Sequence, residues 1–289
     1  MAEILDGRKT SKELLLGFRD RVDALVKKHV EPKLAVILVG NNPSSLAYIR
    51  QKQKACDTAG VAWEQHDFQN DVLEETVIEK IKELNNDDTV HGILLQLPLP
   101  ASFEVKTILA AINSEKDVDC FSGVNVGKFI LGFDESDFMP CTARGVIFLL
   151  ETYGINVEGK HVVVVGRSNL VGKPLSVMMI NKGATVTVCN SKTPDLASFT
   201  RQAEILCVAT GKKQMIKDNM VKKGAVVVDI GINKDEDEKL IGDVDFDEVS
   251  KIASYISPVP GGVGPMTVAC LIENVIKSAE RVAGKNSRI

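Results

Sequence analysis

The chain has 289 residues, of which 44% are hydrophobic and 26% are charged, and its formal net charge at pH 7 is −4. No apolar run reaches the ~20 residues that a membrane span requires, and no basic stripe indicates a surface for nucleic acid. Membranes and nucleic acids are therefore excluded as partners, and the length suits two domains.

Two further features bear on location and on metals. Residues 1–9 lack the basic region and apolar core of a targeting signal, so we expect the protein in the cytoplasm. The six cysteines form no C-x-x-C pair, and the four histidines do not cluster with them. Neither a zinc site nor a disulfide framework is predicted, and we expect no bound metal.

Helices and strands alternate through the first 120 residues. Apolar periodicity predicts helices over 12–29, 44–59 and 74–84, and strands over 34–40, 61–68 and 91–96. This order favours parallel strands joined by right-handed crossovers. We therefore predict an N-terminal α/β lobe of three layers, in which helices cover both faces of a parallel sheet.

The second half has the rhythm of a doubly wound, Rossmann-type domain. Residues 117–141 are rich in Gly, Asp and Pro and are interpreted as a connection between lobes, and a helix follows over 143–153. Strands are then predicted over 162–165, 184–189, 205–209 and 225–230, with helical segments between them. A last helix from residue 266 is expected to pack against the first lobe.

The most informative motif is HVVVVGRSNLVGKP at 161–174, in which a buried strand runs into a turn and then a helix. A helix N-terminus in this position attracts anions such as phosphate. Gly166 and Gly172 are separated by five residues, so the turn is neither the G-x-G-x-x-G dinucleotide motif nor a Walker loop. On these residues alone, an ordinary turn without a ligand stays open.

The end of the second strand in this domain indicates the choice of cofactor. An NAD site usually has an acidic residue there, whereas this chain has Asn190, Ser191 and Lys192. Ser191 can donate to a 2′-phosphate, and Arg167 can approach it with a forked guanidinium. NADP is therefore favoured over NAD, with a surface salt bridge as the alternative role for Arg167.

A pair of side chains in the first lobe suggests proton chemistry. Tyr48 and Lys52 are four residues apart on a predicted helix and so share one face, where the phenol can hydrogen-bond the amine. Enclosure by apolar groups would lower the pKa of Lys52 towards the range useful for proton transfer. Without further context, both residues also fit an exposed helix surface.

Four more motifs give that context: GILLQLPLP at 92–100, KDVDC at 116–120, PCT at 140–142 and PVPGGVGPMT at 258–267. In their order and spacing, the chain resembles the bifunctional methylenetetrahydrofolate dehydrogenase and methenyltetrahydrofolate cyclohydrolase family. The likeness runs from ILDG at 4–7 to EN at 273–274. The turn over 166–172 resembles this family's own form of the dinucleotide turn.

The resemblance implies roles for individual residues. Lys52 would be the principal catalytic group, and Gln96 would orient it and tune its basicity. Tyr48 would lie beneath the pterin ring, whose donor nitrogens Asp119 would hold. Further folate contacts are implied for the following residues: Leu97, Pro260, Gly261 and Gly264. The residues implied to line the dinucleotide are Thr142, Gly166, Arg167, Ser168, Ser191, Ile232 and Thr267.

The resemblance also implies a domain arrangement. A folate-binding catalytic domain over 1–120, completed by the helix 266–289, would be joined through a connection over 121–142 to an NADP-binding domain over 143–265. The active-site cleft would lie between these two lobes, and the protein would be a homodimer.

The implied reaction has two steps. 5,10-Methylenetetrahydrofolate would be oxidised by NADP to 5,10-methenyltetrahydrofolate, which would then be hydrolysed to 10-formyltetrahydrofolate. Two alternatives are another NADP-dependent oxidoreductase of the same fold and a non-catalytic binder of folate or dinucleotide. The joint presence of Tyr48, Lys52, Gln96 and Asp119 argues against the binder.

The chain departs from the family pattern at three positions. Cys120 stands where glycine is usual, Ala143 replaces a common proline, and Asn190 replaces a frequent histidine. Cys120 bears on the turn that aims Asp119, because a side chain is disfavoured wherever φ is positive. We interpret Cys120 as a tolerated substitution, with a changed affinity for the pterin as the alternative.

Overall fold

The computed structural model describes residues 1–132 and 137–286. The first elements are β1 (Glu3–Ile4), α1 (Gly7–Val26), β2 (Lys33–Val39), α2 (Pro43–Ala59), β3 (Ala62–Phe68), α3 (Glu74–Asn86), β4 (Gly92–Leu95), α4 (Val105–Ala111) and α5 (Gly123–Ile130). They are followed by α6 (Cys141–Thr152), β5 (His161–Val165), α7 (Gly172–Asn181), β6 (Thr185–Cys189), α8 (Leu196–Thr200), β7 (Ile205–Val208), β8 (Val226–Asp229), β9 (Asn233–Lys234), β10 (Leu240–Ile241), α9 (Phe246–Val249), β11 (Tyr255–Ile256) and α10 (Val263–Asn286). Within the described ranges, no helix is long and apolar enough to cross a membrane.

The chain divides into two compact units. Unit 1 contains residues 1–12 and 140–267, and unit 2 contains residues 13–139 together with the chain from Val268 onward. The predicted 1–120 domain is wrong at its N-terminus, because β1 pairs in parallel with β11 and so belongs to unit 1. The predicted residues 287–289 of the last helix, and 133–136 of the connection, lie outside the described residues.

The predicted connection over 121–142 contains a helix and, up to Met139, is part of unit 2. Helix α5 is capped by Ser122, whose hydroxyl accepts a hydrogen bond from the backbone N–H of Asn125. The Asn125 side chain donates to the buried carboxylate of Asp117 at 2.9 Å. These polar contacts hold a helix whose sequence, with two glycines, resembles a loop.

Unit 2 is built on a parallel sheet with the strand order β3-β2-β4. Ile37 of β2 and Leu95 of β4 belong to one buried cluster with Ile81 of α3. On the other face of β4, a Cβ added to Gly92 would lie 3.1 Å from Val275 of α10. Because alternate strand residues face opposite sides, α3 and α10 cover the two faces. The predicted three-layer α/β arrangement is confirmed.

Unit 1 contains a six-stranded parallel sheet with the order β1-β11-β8-β7-β5-β6. The chain passes from β5 outward to β6 and then returns to the far side of β5 to form β7. The direction of winding therefore reverses between β5 and β7, which makes this a doubly wound sheet whose ligand crevice is expected at the carboxyl ends of those two strands. The residues Val162 to Val165 are all buried, as expected for an interior strand.

Candidate active site and dinucleotide site

The first candidate site begins with a lysine and a glutamine in unit 2. Lys52 Nζ donates a 2.9 Å hydrogen bond to Oε1 of Gln96. Gln96 is buried and follows directly after β4, and its backbone N–H donates to Ile37 of β2, which continues the strand pairing. Its Nε2 donates to the carbonyl of Leu97 at 2.6 Å, so its Oε1 is the atom turned towards Lys52. The structure brings these predicted residues together.

Tyr48 precedes Lys52 by one helical turn on α2 and is half-buried. Burial raises the pKa of the Tyr48 phenol, because the ionised form would lose its solvation. The phenol is therefore protonated at neutral pH and is able to donate a hydrogen bond. Its ring supplies an apolar face on the same side of α2 as Lys52.

The loop that carries Asp119 is fixed on both sides. The buried Asp117 carboxylate accepts hydrogen bonds from the backbone N–H groups of Phe121, at 3.0 Å, and of Ser122, at 2.7 Å. Asn274 of α10 donates to the Val118 carbonyl at 2.8 Å. Asp117 therefore supports the loop, and burial raises its pKa, whereas the half-buried Asp119 is the acid that solvent reaches.

Cys120 adopts a positive φ of 63°, in the left-handed region that favours glycine. Its side chain is 1% exposed, and its thiol donates to the Phe138 carbonyl at 3.3 Å. Burial also raises the pKa of this thiol, which keeps it protonated. The backbone therefore has the conformation that a glycine would adopt there, and the sulfur is accommodated in the interior of unit 2.

In unit 1, the irregular spacing of the glycines has a steric cause. A Cβ on Gly166 would lie 2.2 Å from the Ala209 carbonyl oxygen, and a Cβ on Gly172 would lie 2.2 Å from the Gly166 carbonyl oxygen. The two glycines thus allow the turn to fold back on itself before α7 begins. Ser168 closes the turn, since its hydroxyl accepts from the backbone N–H groups of Val171 at 3.2 Å and Gly172 at 3.4 Å.

The neighbouring turn after β6 is ordered by Asn190. Its Oδ1 accepts from the backbone N–H of Lys192 at 2.9 Å, and its own backbone N–H donates to the Thr193 hydroxyl at 2.9 Å. Ser191, at the tip of this turn, is exposed, as is Arg167 on the turn after β5. The two turns are joined where the N–H of Gly166 donates to the carbonyl of the last residue of β6.

The remaining predicted dinucleotide contacts are spread along unit 1. Ile232, on the turn after β8, has 46% of its surface exposed, which is unusual for isoleucine and leaves an apolar contact available. The hydroxyls of Thr267 and Thr142 are 3.3 Å apart, so the start of α10 meets the start of α6.

The predicted folate loop at 258–264 also lies in unit 1. The carbonyl of Gly261 accepts from the Arg8 N–H at 2.9 Å, and a Cβ on Gly7 would lie 1.8 Å from the Gly262 carbonyl oxygen. The loop is therefore packed against the start of α1. Pro260 remains exposed, and a Cβ on Gly264 would meet nothing within 4 Å, so these positions are accessible.

Sequence reasoning missed the residues that support these loops. Asn274 and Asp117 hold the Asp119 loop, and Asp243 and Asp229 hold the turns after β7 and β8. KDVD at 116–119 offered one signal, because it contains two acids of which one is buried. Within residues 1–132 and 137–286, no three His, Cys, Asp or Glu side chains are grouped to hold a metal ion.

Comparisons with known proteins cover both units of the chain. Residues 5–119 match the catalytic domain of the tetrahydrofolate dehydrogenase/cyclohydrolase family, and residues 140–283 match its NAD(P)-binding domain. The chain is 49% identical to the bifunctional protein FolD of Geobacillus thermodenitrificans, over 98% of this chain and 99% of that protein.

Two solved structures extend the comparison. The bifunctional FolD enzyme of Campylobacter jejuni is 48% identical with a TM-score of 0.95, covering 98% of this chain and 100% of the other. The Trypanosoma brucei enzyme, solved with an NADP cofactor and an inhibitor, is 35% identical with a TM-score of 0.93, covering 97% of this chain and 98% of the other. The similarity therefore extends over both units.

Proposed function

Because the chain belongs to the tetrahydrofolate dehydrogenase/cyclohydrolase family, we propose that it is a bifunctional enzyme of folate one-carbon metabolism. It oxidises 5,10-methylenetetrahydrofolate to 5,10-methenyltetrahydrofolate with NADP⁺, and then hydrolyses this product to 10-formyltetrahydrofolate. The observation that carries the proposal is the Lys52 ammonium, held at 2.9 Å by the amide oxygen of Gln96. A protein that only bound folate would have little use for a lysine held in this way.

The folate is proposed to bind through three residues of unit 2. The Asp119 carboxylate accepts hydrogen bonds from the donor nitrogens of the pterin, which form a charge-assisted fork. Tyr48 stacks its ring against the pterin, and the backbone beside Leu97 lines the same surface. The hydrogen bonds around Asp117 support this role, because they fix the loop before the substrate arrives.

In the hydrolytic step, Lys52 is proposed to carry the proton. Water adds to the methenyl carbon and gives up one proton. One of the two carbon–nitrogen bonds of the bridge then breaks, while the hydroxyl of the adduct releases its proton to solvent and becomes the carbonyl oxygen of the formyl group. Lys52 accepts the proton from the water and returns it to the departing nitrogen, which is general acid–base catalysis by one group. Gln96 keeps the amine in place in both protonation states, because an amide oxygen accepts from –NH₃⁺ and from –NH₂ alike.

The cofactor is NADP, and the turns of unit 1 are proposed to hold it. The tight approach of Gly166 and Gly172 fits a phosphate cradle, since side chains at these positions would fill the turn. Arg167 and Ser191 are proposed to bind the 2′-phosphate, with Ile232, Thr142, Ser168 and Thr267 along the rest of the dinucleotide. When bound, NADP⁺ accepts a hydride from the one-carbon bridge. The loop with Pro260, Gly261 and Gly264 is proposed to contact the folate.

The protein is further proposed to be a cytoplasmic homodimer. Strand β6 is at the edge of the unit 1 sheet, and Val188 on it has 42% of its surface exposed. An edge strand with an exposed apolar residue supports pairing with a second copy. The six buried cysteines support a reducing compartment. Sedimentation of the wild type and of Val188→Lys tests the dimer, and a wild-type monomer would contradict it.

One assay tests both activities. Purified protein is mixed with 5,10-methylenetetrahydrofolate and either NADP⁺ or NAD⁺, and the absorbance of the reduced cofactor and of the methenyl product is followed. We expect NADPH to form together with a methenyl signal that then decays. Reduction of NADP⁺ only with other substrates would identify a different oxidoreductase, and binding of folate without turnover would identify a binder.

A further inference from the structure

We propose that Asp243 is a positioning residue for the dinucleotide, because its single carboxylate joins two turns at the carboxyl ends of neighbouring strands in the unit 1 sheet. Asp243 is completely buried. Its Oδ2 accepts hydrogen bonds from the Thr210 N–H, the Thr210 hydroxyl at 2.9 Å and the Gly211 N–H at 3.0 Å. Its Oδ1 accepts from Nδ2 of Asn233 at 2.8 Å. Thr210 and Gly211 follow β7, whereas Asn233 lies beyond the end of β8.

The first of these turns lies at the expected ligand crevice. Winding reverses between β5 and β7, and ligands of doubly wound sheets bind at the carboxyl ends of the strands on either side of such a reversal. Ala209, which leads into Thr210, is the residue whose carbonyl oxygen would be 2.2 Å from a Cβ on Gly166. The turn held by Asp243 is therefore packed directly against the turn proposed to hold the phosphates.

The second turn carries Ile232 and is held just as closely. A Cβ added to Gly231 would lie 2.0 Å from Cγ of Asp243, so the carboxylate occupies the space beneath this glycine. Oδ1 of Asp229 accepts from the backbone N–H groups of both Gly231 and Asp243, at 3.0 Å each. Movement of the Asp243 carboxylate would therefore move the backbone on which Ile232 is exposed.

The inference rests on the proposed function, and that function supplies an internal control. Hydrolysis of added methenyltetrahydrofolate requires no oxidation, and its proton transfers are assigned to Lys52 with Gln96, both in unit 2. Dehydrogenation requires the dinucleotide in addition. A residue that only stabilises the fold would affect both activities together, whereas a positioning residue for the dinucleotide affects dehydrogenation alone.

Three variants separate these outcomes. Asp243→Ala removes all four acceptor contacts, and Asn233→Asp places a second carboxylate against the first. We expect either change to raise the Kd for NADP⁺, measured by calorimetry, and the KM for NADP⁺ by at least about ten-fold, the size expected from one buried hydrogen bond. The double variant Asp243→Asn with Asn233→Asp exchanges the amide and the carboxylate. It is expected to restore NADP⁺ binding to within about three-fold of the wild type.

Asp247→Asn, on the exposed side of α9, is the matched control and is expected to bind NADP⁺ as the wild type does. Cyclohydrolase activity on added methenyltetrahydrofolate should stay within about two-fold in all folded variants. An unchanged Kd for NADP⁺ in Asn233→Asp, or parallel loss of both activities, would overturn the proposal. If Asp243→Ala does not fold, the Asn233→Asp variant and the exchanged pair decide. A wild type that binds NADP⁺ but does not oxidise methylenetetrahydrofolate would contradict the function and leave this test intact.

Discussion

Lys52 and Gln96 are 44 positions apart in the chain, yet the amine of one lies 2.9 Å from the amide oxygen of the other. Gln96 cannot turn its amide nitrogen towards Lys52 without losing the hydrogen bond from Nε2 to the Leu97 carbonyl. Lys52 therefore faces a neutral acceptor. A neutral acceptor holds the lysine in place without stabilising its charged form as strongly as a carboxylate would, which suits a group that must gain and lose a proton.

Replacement of the lysine tests its assigned role directly. We expect Lys52→Met to lower cyclohydrolase turnover by about 100-fold or more, because the proton-transfer group is removed while the apolar stem is kept. The dehydrogenase activity should fall less. Lys54→Met, on the exposed side of the same helix, is the matched control. Equal cyclohydrolase turnover in Lys52→Met and the wild type would refute the assignment.

The charge of residue 96, opposite Lys52, should set the pH dependence of the cyclohydrolase activity. Gln96→Glu places a carboxylate opposite Lys52, which favours the ammonium and raises the pKa of the lysine. The acidic limb of the cyclohydrolase pH profile should therefore move upward by about one unit, with lower activity at neutral pH. Gln96→Met is the uncharged control, for which we expect a lower rate at every pH and no displacement of the limb. A limb that stays in place in folded Gln96→Glu would contradict this account.

Strands that are continuous apolar runs in the sequence, and are buried in the structure, were predicted correctly. β2, β4, β5 and β8 are such strands, and the structure places each within a few residues of the predicted bounds. β1 was missed because two residues are too few for a pattern, and because its pairing with β11 joins positions about 250 residues apart. α5 was missed because its glycines are typical of a loop, although the Ser122 cap is a local signal. The other supporting contact, from the Asn125 side chain to the buried Asp117, depends on the fold.

The candidate site was predictable where its chemistry follows spacing or a family motif. Tyr48 and Lys52 follow from helical periodicity, and Gln96 and Asp119 follow from the motifs that contain them. Asn274, in contrast, holds the carbonyl of a residue 156 positions away. A hydrogen bond to a distant backbone carbonyl leaves no local pattern in the sequence, so supporting residues of this kind become visible only in the structure.

The preference for NADP should depend on Arg167 and Ser191. We expect Arg167→Ala to raise the KM for NADP⁺ by about ten-fold and to change the KM for NAD⁺ by less than about two-fold, because only NADP⁺ carries the 2′-phosphate. Ser191→Asp should reverse the preference, since its carboxylate repels the phosphate and is able to accept from the ribose hydroxyls of NAD⁺. Steady-state kinetics with both cofactors measure this. An equal rise in the KM for NADP⁺ and for NAD⁺ would place both residues away from the 2′-phosphate.

At Cys120, the usual order of stability of alanine and glycine variants should be reversed. At a negative φ, alanine is normally the more stabilising residue, but Cys120 has a φ of 63°, where a Cβ is disfavoured. We therefore expect Cys120→Gly to be more stable than Cys120→Ala by about 1 kcal/mol in the free energy of unfolding, measured with urea.

Both variants lose the buried sulfur, so the difference between them reports the backbone conformation, less the burial of one methyl group in Cys120→Ala. Ala110→Gly, on the exposed face of α4, is the control and should show the ordinary order, with glycine less stable by about 1 kcal/mol. The KM for methylenetetrahydrofolate should change by less than about two-fold in Cys120→Gly, because the cysteine already holds the glycine-type conformation that aims Asp119. A large change in this KM would instead assign Cys120 an influence on pterin affinity through its side chain.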